Sequence, residues 1–598
     1  MPNIFEIKTA IINRDPLGIA LLIIVFFISL FWKVPNLRHL RYRIRIVMAA
    51  MLFGAVLSVN ATYLQIAVLL ALIAAYASVA WAASKNAIWP SSVKLQKIEG
   101  WLKTAQYRKL EKIVDSMPFY FLDAKEKLEW LKSKASYKFE SGNFREAYEI
   151  NNSINAVYLF AEEKEFVEMN KVSCLLMLGD NRRARLLFDS VNNEQTDKNL
   201  LKKLYLKAWI LESEGNLKSA TQALFDAVSS FSGNPDATIA AIYNNLGRMR
   251  KAEHNFTDTM HYYKKAAEIA RELNKKELIH IAYPNLIDMY LLQDRYQEAD
   301  ENLTAYSNLI DRTNIDDLIK FRNYQLEYAR QKKDFSLFAG FFEEGRKEIL
   351  PKATKKEQLI LEITELRILS NANTLSIEHL VSVEKNLVEY VSFEFTERYK
   401  VLKEIFIVLN GLAATVDQLG QFKSLWQKII LQFKSIEQEK QIDKYLLNLP
   451  DYCVGERCYW LKEKVFLRKA IPGMYDASAI FREMEELKAI LLYQDNFIPA
   501  IETCLDIADE AMSQNMTEKI WTYTQEAIDA LGKIESHPSV VTFNLRIAMY
   551  AFRVGEEDIA RDYFCRFIRS KTSPLHFADW LQRYYNFLNS VLPSQLKT

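Results

Sequence analysis

Seven histidines and five cysteines are the side chains of this 598-residue chain with most to offer catalysis or metal binding, and their spacing offers little. His39, His254, His261, His280, His379, His537 and His576 form no HExxH and no His/Cys pair at metal-ligand spacing. His254 and His261 lie close together, where turn and packing roles suffice. Cys453 and Cys458 stand five apart without a second pair, which is weak for zinc and ambiguous for a disulfide, so two loop thiols are expected. There is no Walker loop, GxGxxG or GxSxG, and Glu483, Glu485 and Glu486 read as a solvated helix face. We therefore expect no enzyme and no catalytic, cofactor or metal site. The more suggestive polar residues are Asn245 and Asn285, 40 apart, each immediately before a leucine (Leu246, Leu286) and so at equivalent places on successive helices. Their amides both donate and accept, and Arg248, one helical turn on from Asn245, can grip a carboxylate with two hydrogen bonds. The same amides are equally suited to bridging neighbouring helices.

The elements that position these residues follow from a repeated motif. A turn residue is followed two positions later by an aromatic or apolar residue, and three after that usually by a small or apolar one. It occurs at Ala105/Tyr107/Leu110, Gly142/Phe144/Ala147, Gly179/Asn181/Ala184, Gly215/Leu217/Ala220, His254/Phe256/Thr259, Asp294/Tyr296/Ala299 and Lys333/Phe335/Phe338. The middle residues are 37, 37, 36, 39, 40 and 39 apart, the period of a solenoid built from helix hairpins. Gly420/Phe422/Leu425, Asp495/Phe497/Ala500 and Gly555/Glu557/Ala560 fit the motif at irregular intervals. Residues 435–473, with Pro450, Gly455 and Pro472-Gly473, read as an irregular joint or, alternatively, a small separate domain.

In this pattern the sequence resembles the tetratricopeptide repeat (TPR) family. The resemblance is carried by Ala241 to Ala270, with Leu246-Gly247, Tyr263 at the second-helix aromatic position and Ala266 at the packing position, and by Ala282 to Leu303. It is clear over about residues 100–340 and weak beyond. The period exceeds the family's usual 34, Thr259 stands where alanine is expected, and the repeat-ending proline is mostly missing. The resemblance implies a concave protein-binding surface rather than an activity. It also implies that Asn245 and Asn285 line the groove and hold the backbone of an extended peptide.

The N-terminal part is of another kind. Leu17 to Trp32 has no charge in 16 residues and Ile46 to Ser84 none in 39, so both read as bilayer-embedded. A single straight helix over the second stretch would be about 58 Å long, nearly twice the hydrocarbon thickness, so a turn is expected at Ser58 to Thr62. That gives three spans; one tilted span with an interfacial helix in place of the last two is the alternative. The connector between them carries Lys33, Arg38, Arg41, Arg43 and Arg45 and no acid, which places it in the cytoplasm and could also attract anionic lipid. With three spans everything after Lys85 is cytosolic. Five thinly spread cysteines agree with a reducing compartment.

Charge and composition complete the reading. Residues 1–95 carry nine basic and two acidic side chains, a net +7, which leaves −5 for the body. A mildly acidic body lacks the footprint that phosphate-backbone binding demands, so nucleic acid is not expected as a partner. Sixteen glycines and fourteen prolines leave few turns for separate domains. The expected fold is all-α: an N-terminal segment (1–16), a transmembrane domain of two or three helices (17–84), a linker (85–95), a TPR-like solenoid (96–340) and a degenerate helical-repeat half (341–598). The expected function is a scaffold or adaptor that recruits protein or peptide partners to the cytoplasmic face of the inner membrane. A ligand-sensing receptor whose solenoid controls the membrane helices is the alternative, and a membrane segment that is itself the effector a third. Homo-oligomerisation is left open.

Overall fold

A computed structural model describes residues 124–154, 161–192, 199–352, 436–534 and 537–569, with scattered positions at 98–110, 358, 396–407 and 427–431. The expected membrane spans, the basic connector and the turns at Ala105 and Gly420 lie outside the described residues. Among the described residues there is helix and no strand, and no helix is long and apolar enough to cross a membrane. The chain divides into two compact units, Met1–Ile154 and Asn155–Thr598.

The first unit contributes one described hairpin, α1 (Ala124–Glu140) and α2 (Phe144–Ser153). In the second unit the hairpins continue as α3 (Ala161–Met177) with α4 (Asn181–Asn192), α5 (Leu200–Ser213) with α6 (Leu217–Ser230), and α7 (Ala237–Ala252) with α8 (Phe256–Leu273). Next come α9 (Lys276–Leu292) with α10 (Tyr296–Asn308), and α11 (Ile315–Gln331) with α12 (Phe335–Ile349). Its later part holds α13 (Ile436–Asn448), α14 (Val454–Ala470), α15 (Ala477–Tyr493), α16 (Phe497–Ser513), α17 (Thr517–Leu531), α18 (Val540–Val554) and α19 (Glu557–Arg569). Within each hairpin the two helices lie against each other, the first helices from α3 to α11 lie each against the next, and from α13 to α19 each helix lies against its successor, the arrangement of an α-solenoid.

One local geometry makes these hairpins. Every described turn residue of the sequence motif has a left-handed backbone, with φ from 54° at Asp495 to 90° at Gly555. Around His254 the two hydrogen bonds that close a helix C-terminus are formed: His254 N–H donates to Lys251 O at 3.0 Å and Asn255 N–H to Arg250 O at 2.9 Å. The pair satisfies carbonyls that the helix end would leave unpaired and reverses the chain. The next helix starts two residues after the turn, at Phe144, Asn181, Leu217, Phe256, Tyr296, Phe335, Phe497 and Glu557. Asn515, also left-handed at φ 54°, makes the same turn into α17. Other helices start on a side-chain cap: Asp236 accepts from the N–H groups of Thr238 and Ile239, and Asp476 from that of Ala479.

The motif's third position is where the paired helices touch. Ala147, Ala184, Ala220, Ala299 and Ala500 are fully buried, and the bulkier Phe338 is also inside. Thr259 is fully buried too, because its hydroxyl donates to Asn255 O at 2.8 Å, so no polar atom is left unpaired where alanine was expected. In α8 the buried residues Thr259, Met260, Tyr263, Ala266, Ala267 and Ala270 form one stripe of helical period. Gly247 meets that stripe edge-on: a Cβ there would stand 2.5 Å from the Tyr263 ring. Only a residue without a side chain lets α7 approach the tyrosine so closely.

Three expectations need correction. Of Glu483, Glu485 and Glu486 only the last two are exposed; Glu483 is buried and held by Arg468 and Lys464. Residues 435–473 are not irregular, because α13 and α14 cover most of the stretch and Pro450 and Pro472-Gly473 fall at helix ends. Gly455 is the second residue of α14, close to a helix N-terminus rather than at a break. Of Cys453 and Cys458 only the first is a loop thiol, just ahead of α14; the second lies in the helix's first turns, and both are buried. Burial pushes the Cys458 thiol up to about 11 and those of Cys174 and Cys504 to about 12, which keeps them protonated and unreactive at neutral pH.

Two stability predictions follow from the turn and the close approach. Replacing His254 or Lys333 by glycine removes the strain of a side chain in a left-handed turn and should stabilise the fold by about 1 kcal/mol, read as a higher urea midpoint. A lower midpoint would mean that the side chains contribute more than the turn costs. Gly247→Ala should destabilise by about 1–3 kcal/mol through overpacking against Tyr263, although alanine is the better helix former by about 1 kcal/mol. A neutral or stabilising result in the same titration would contradict the close approach.

Candidate functional site

The first helices of successive repeats, α3, α5, α7, α9 and α11, are joined by polar side chains about one repeat apart. Asn199, just ahead of α5, donates to Glu165 of α3 at 2.9 Å. Lys320 Nζ on α11 donates to Glu277 Oε1 on α9 at 2.7 Å, and the Tyr324 hydroxyl to Asp288 Oδ1 at 2.8 Å. Burial pushes the Asp288 carboxyl up, and the Tyr324 phenol and the side chain of Gln331 hold it in place. Lys202 on α5 donates to the Asn170 amide on α3, and its ammonium lies 4.4 Å from the Phe166 ring centroid. Burial lowers that ammonium to about 8.

Between α5 and α7 this seam opens into a cavity of about 170 Å³, lined by Tyr205, Ala208, Trp209, Glu212, Leu224, Asn245, Arg248 and Met249. Arg248 projects from α7 with its side chain half exposed. Its Nη1 and Nη2 donate to the two carboxylate oxygens of Glu212, each at 2.5 Å, and Nη2 also donates to Asn245 Oδ1 at 3.1 Å. Asn245 Nδ2 in turn donates to Ala241 O at 3.0 Å and to the Tyr205 hydroxyl at 3.3 Å. Burial pushes the Tyr205 phenol up, so it stays neutral and presents its oxygen as an acceptor.

The structure thus brings Asn245 and Arg248 into one cavity and places Asn285 elsewhere. Asn285 Nδ2 donates to Asn244 Oδ1 at 2.8 Å, so it ties α9 to α7 through the neighbour of Asn245. The carboxylate that Arg248 grips is internal, that of Glu212. Sequence reasoning missed Glu212 and Tyr205, yet they stand 36 and 40 residues before Arg248 and Asn245, the repeat spacing itself. The basic connector residues Lys33, Arg38, Arg41, Arg43 and Arg45 lie outside the described residues.

A second polar cluster has the composition of a proton relay without its access. His280 Nδ1 is 2.5 Å from the Tyr306 hydroxyl, and its Nε2 is 2.5 Å from Asp317 Oδ1. The His280 side chain is 6% exposed and that of Asp317 fully buried, so no substrate reaches the dyad. It ties α9, α10 and α11 together with every ring nitrogen engaged. Among the described residues no group of three or more His, Cys, Asp or Glu is placed to hold a metal ion.

The seam generates two measurable expectations. A double-mutant cycle of Arg248→Ala and Glu212→Ala should give a coupling of about 0.5–1 kcal/mol, as for a half-exposed ion pair with good geometry; zero coupling would show that the pair is not formed. Lys202→Met tests the buried ammonium. Because the unfolded chain holds this proton more tightly than the folded one, wild type loses stability as the pH falls from about 10.4 towards the folded value. The advantage of the variant should therefore be widest below about pH 8 and close at higher pH. An advantage independent of pH would show that the ammonium is solvated.

No protein-family model matches the sequence, and no curated protein matches it. Among solved structures, it is similar to the C-terminal part of a TPR repeat-containing protein from Cytophaga hutchinsonii, with 16% identity over 47% of this chain and 98% of that one and a TM-score of 0.27. The APC/C hetero-tetramer Cut9–Hcn1 gives 11% identity over 91% of this chain and 94% of that one, with a TM-score of 0.29. The Naa15/Naa10 complex bound to HypK-THB gives 11% identity over 77% and 71%, with a TM-score of 0.21.

Proposed function

We propose that this protein is a non-enzymatic scaffold or adaptor that holds a protein or peptide partner on the face formed by the first helices of its repeats. The observation that carries the reading is the cavity between α5 and α7, where a half-exposed guanidinium stands beside the aromatic side chains of Tyr205 and Trp209. An apolar pocket with a few convergent polar groups is suited to a peptide side chain, and aromatics and arginine are the residues that dominate such contacts. An acidic group on the partner would exchange with Glu212 for the two donors of Arg248, and the freed Glu212 carboxylate, already partly exposed, would turn to solvent. Asn245, donating to Tyr205 and accepting from Arg248, keeps the guanidinium in place during that exchange.

In the same reading residues 17–84 anchor the protein in the inner membrane and the repeats face the cytoplasm, so that the partner is recruited to the membrane surface. The support is the two uncharged stretches and the wholly basic connector between them.

The full chain, purified in mild detergent as wild type, Arg248→Ala, Asn245→Ala and Asn285→Ala, is compared for melting temperature and for captured proteins by mass spectrometry. Arg248→Ala should melt within a few degrees of wild type and lose about tenfold or more of at least one captured protein, the loss of a charge-assisted pair of about 1.5–3 kcal/mol. Unchanged capture by all three variants would contradict docking on this face. Low melting of all three would make the amides helix bridges only. Reporter fusions after Lys85 that are active only outside the cytoplasm would contradict the proposed topology.

A further inference from the structure

Within the second unit, the hairpin tips of two early repeats meet segments almost three hundred residues later. Gly455 N–H, at the start of α14, donates to Leu178 O at 2.6 Å. The amides of a first helical turn have no acceptor inside their own helix, so Leu178 supplies one. A Cβ on Gly179 would stand 2.7 Å from Gly455 N, and one on Gly455 would stand 3.1 Å from Leu178 O. Four residues beyond Leu178, Arg182 N–H donates to the side chain of Gln494 at 3.0 Å, and the Arg182 guanidinium lies 4.4 Å from the Tyr493 ring centroid. Gln494 is buried. Gly215, one repeat after Gly179, lies against Ile534 and Ile498, where a Cβ would come within 3.1 Å of Ile534. The later partners, Gly455, Gln494 and Ile534, are 39 and 40 residues apart, and each early tip touches two successive later segments: Leu178–Arg182 meets Gly455 and Gln494, and Gly215 meets Ile498 and Ile534.

We propose that this row of contacts is a clasp that closes the solenoid on itself, and that it is coupled to the Arg248 cavity through the end of α5. Glu212, near that end, holds Arg248, and three residues later Gly215 meets Ile534 and Ile498. The two sides keep separate hydrophobic cores, one built on residues such as Ala220, Ile242 and Leu246, the other on Ile501, Leu505 and Ile547. Among the described residues, opening the clasp therefore breaks a few hydrogen bonds, the Arg182–Tyr493 contact and small apolar contacts, without unfolding either row of helices. A partner that draws Arg248 away from Glu212 would shift the end of α5 against Ile534, and release of the clasp would shift Glu212. That coupling rests on the docking role proposed above; the clasp does not.

Hydrogen exchange of the full chain, followed by mass spectrometry without any partner, tests it. In wild type the amides around Gly455 should exchange about tenfold or more slower than free amides despite their place in a first helical turn. Gly455→Leu, which drives a side chain into Leu178 O, should keep the helical circular dichroism and raise deuterium uptake in the peptides carrying Arg182, Tyr493–Ile498 and Ile534. Arg182→Ala, which removes only the stacked side chain, should raise uptake in the same peptides to a smaller extent and serves if the leucine variant fails to fold. Free exchange around Gly455 in wild type, or unchanged uptake in the folded variants, overturns the clasp. Raised uptake at the tips with none at Trp209–Ser213 overturns the coupling and leaves the clasp.

Discussion

The structure depends on a single backbone event repeated along the chain: one residue at the end of a helix takes a left-handed conformation and turns the chain back. Two hydrogen bonds close the helix behind it, as at His254 and Asn255, and a new helix begins two residues later. Because every described turn of the sequence motif has this geometry, the residue five positions on arrives at the same place, against the preceding helix. That place needs a small side chain or one whose polar atom is satisfied locally, which is why Ala147, Ala220 and Thr259 are equivalent. From this constraint follow the face shared by the first helices, the seam of inter-repeat hydrogen bonds and the cavity that interrupts it.

The frame was legible because its determinants are local. Glycine, aspartate and an occasional histidine or lysine at a fixed offset from a small or apolar residue mark the described tips of the motif, and the helix starts followed to the residue. Asn515 escaped notice because the turn comes only 20 residues after Asp495, about half the period of the motif. Pro450 and Gly455 misled for the opposite reason: both are helix breakers in an interior and ordinary neighbours of a helix start. At the site, Asn245 and Arg248 could be found from their place in the repeat, whereas Glu212 reads by itself as one more acid on a wet surface. Its role shows only when residues one repeat apart are laid side by side. The meeting of Gly179 with Gly455 has no local signature at all, since the two are 276 residues apart.

Electrostatics along the seam separates framework from working surface. His280 with Tyr306 and Asp317, and Arg322 with Glu344 and Glu348, place their polar atoms on one another, in the first cluster almost wholly away from water. Removing a partner leaves a buried group, Asp317 in one cluster and the Arg322 guanidinium in the other, less well paired, so these residues serve cohesion, His280 between repeats and Arg322 within its hairpin. Arg248 differs in being half exposed beside a cavity, with a partner carboxylate that can move into solvent. A pair that can be exchanged without stranding a buried charge is the kind on which a reversible contact is built. The seam thus combines buried inter-repeat ties with a partly exposed pair beside a cavity, and the tips of the same hairpins touch the later part of the second unit.

The central claim is that partners meet the face of the first helices rather than the opposite side of the stack. It is tested most directly by site-specific photo-crosslinking of the full chain in its native membranes, with a photoreactive amino acid at Trp209 in the cavity or at Leu186, which is 64% exposed on a second helix. The account predicts a discrete crosslinked species from position 209 that disappears when Arg248→Ala is added, and none from position 186. Crosslinks from 186 alone, or a species from 209 indifferent to Arg248, would contradict it.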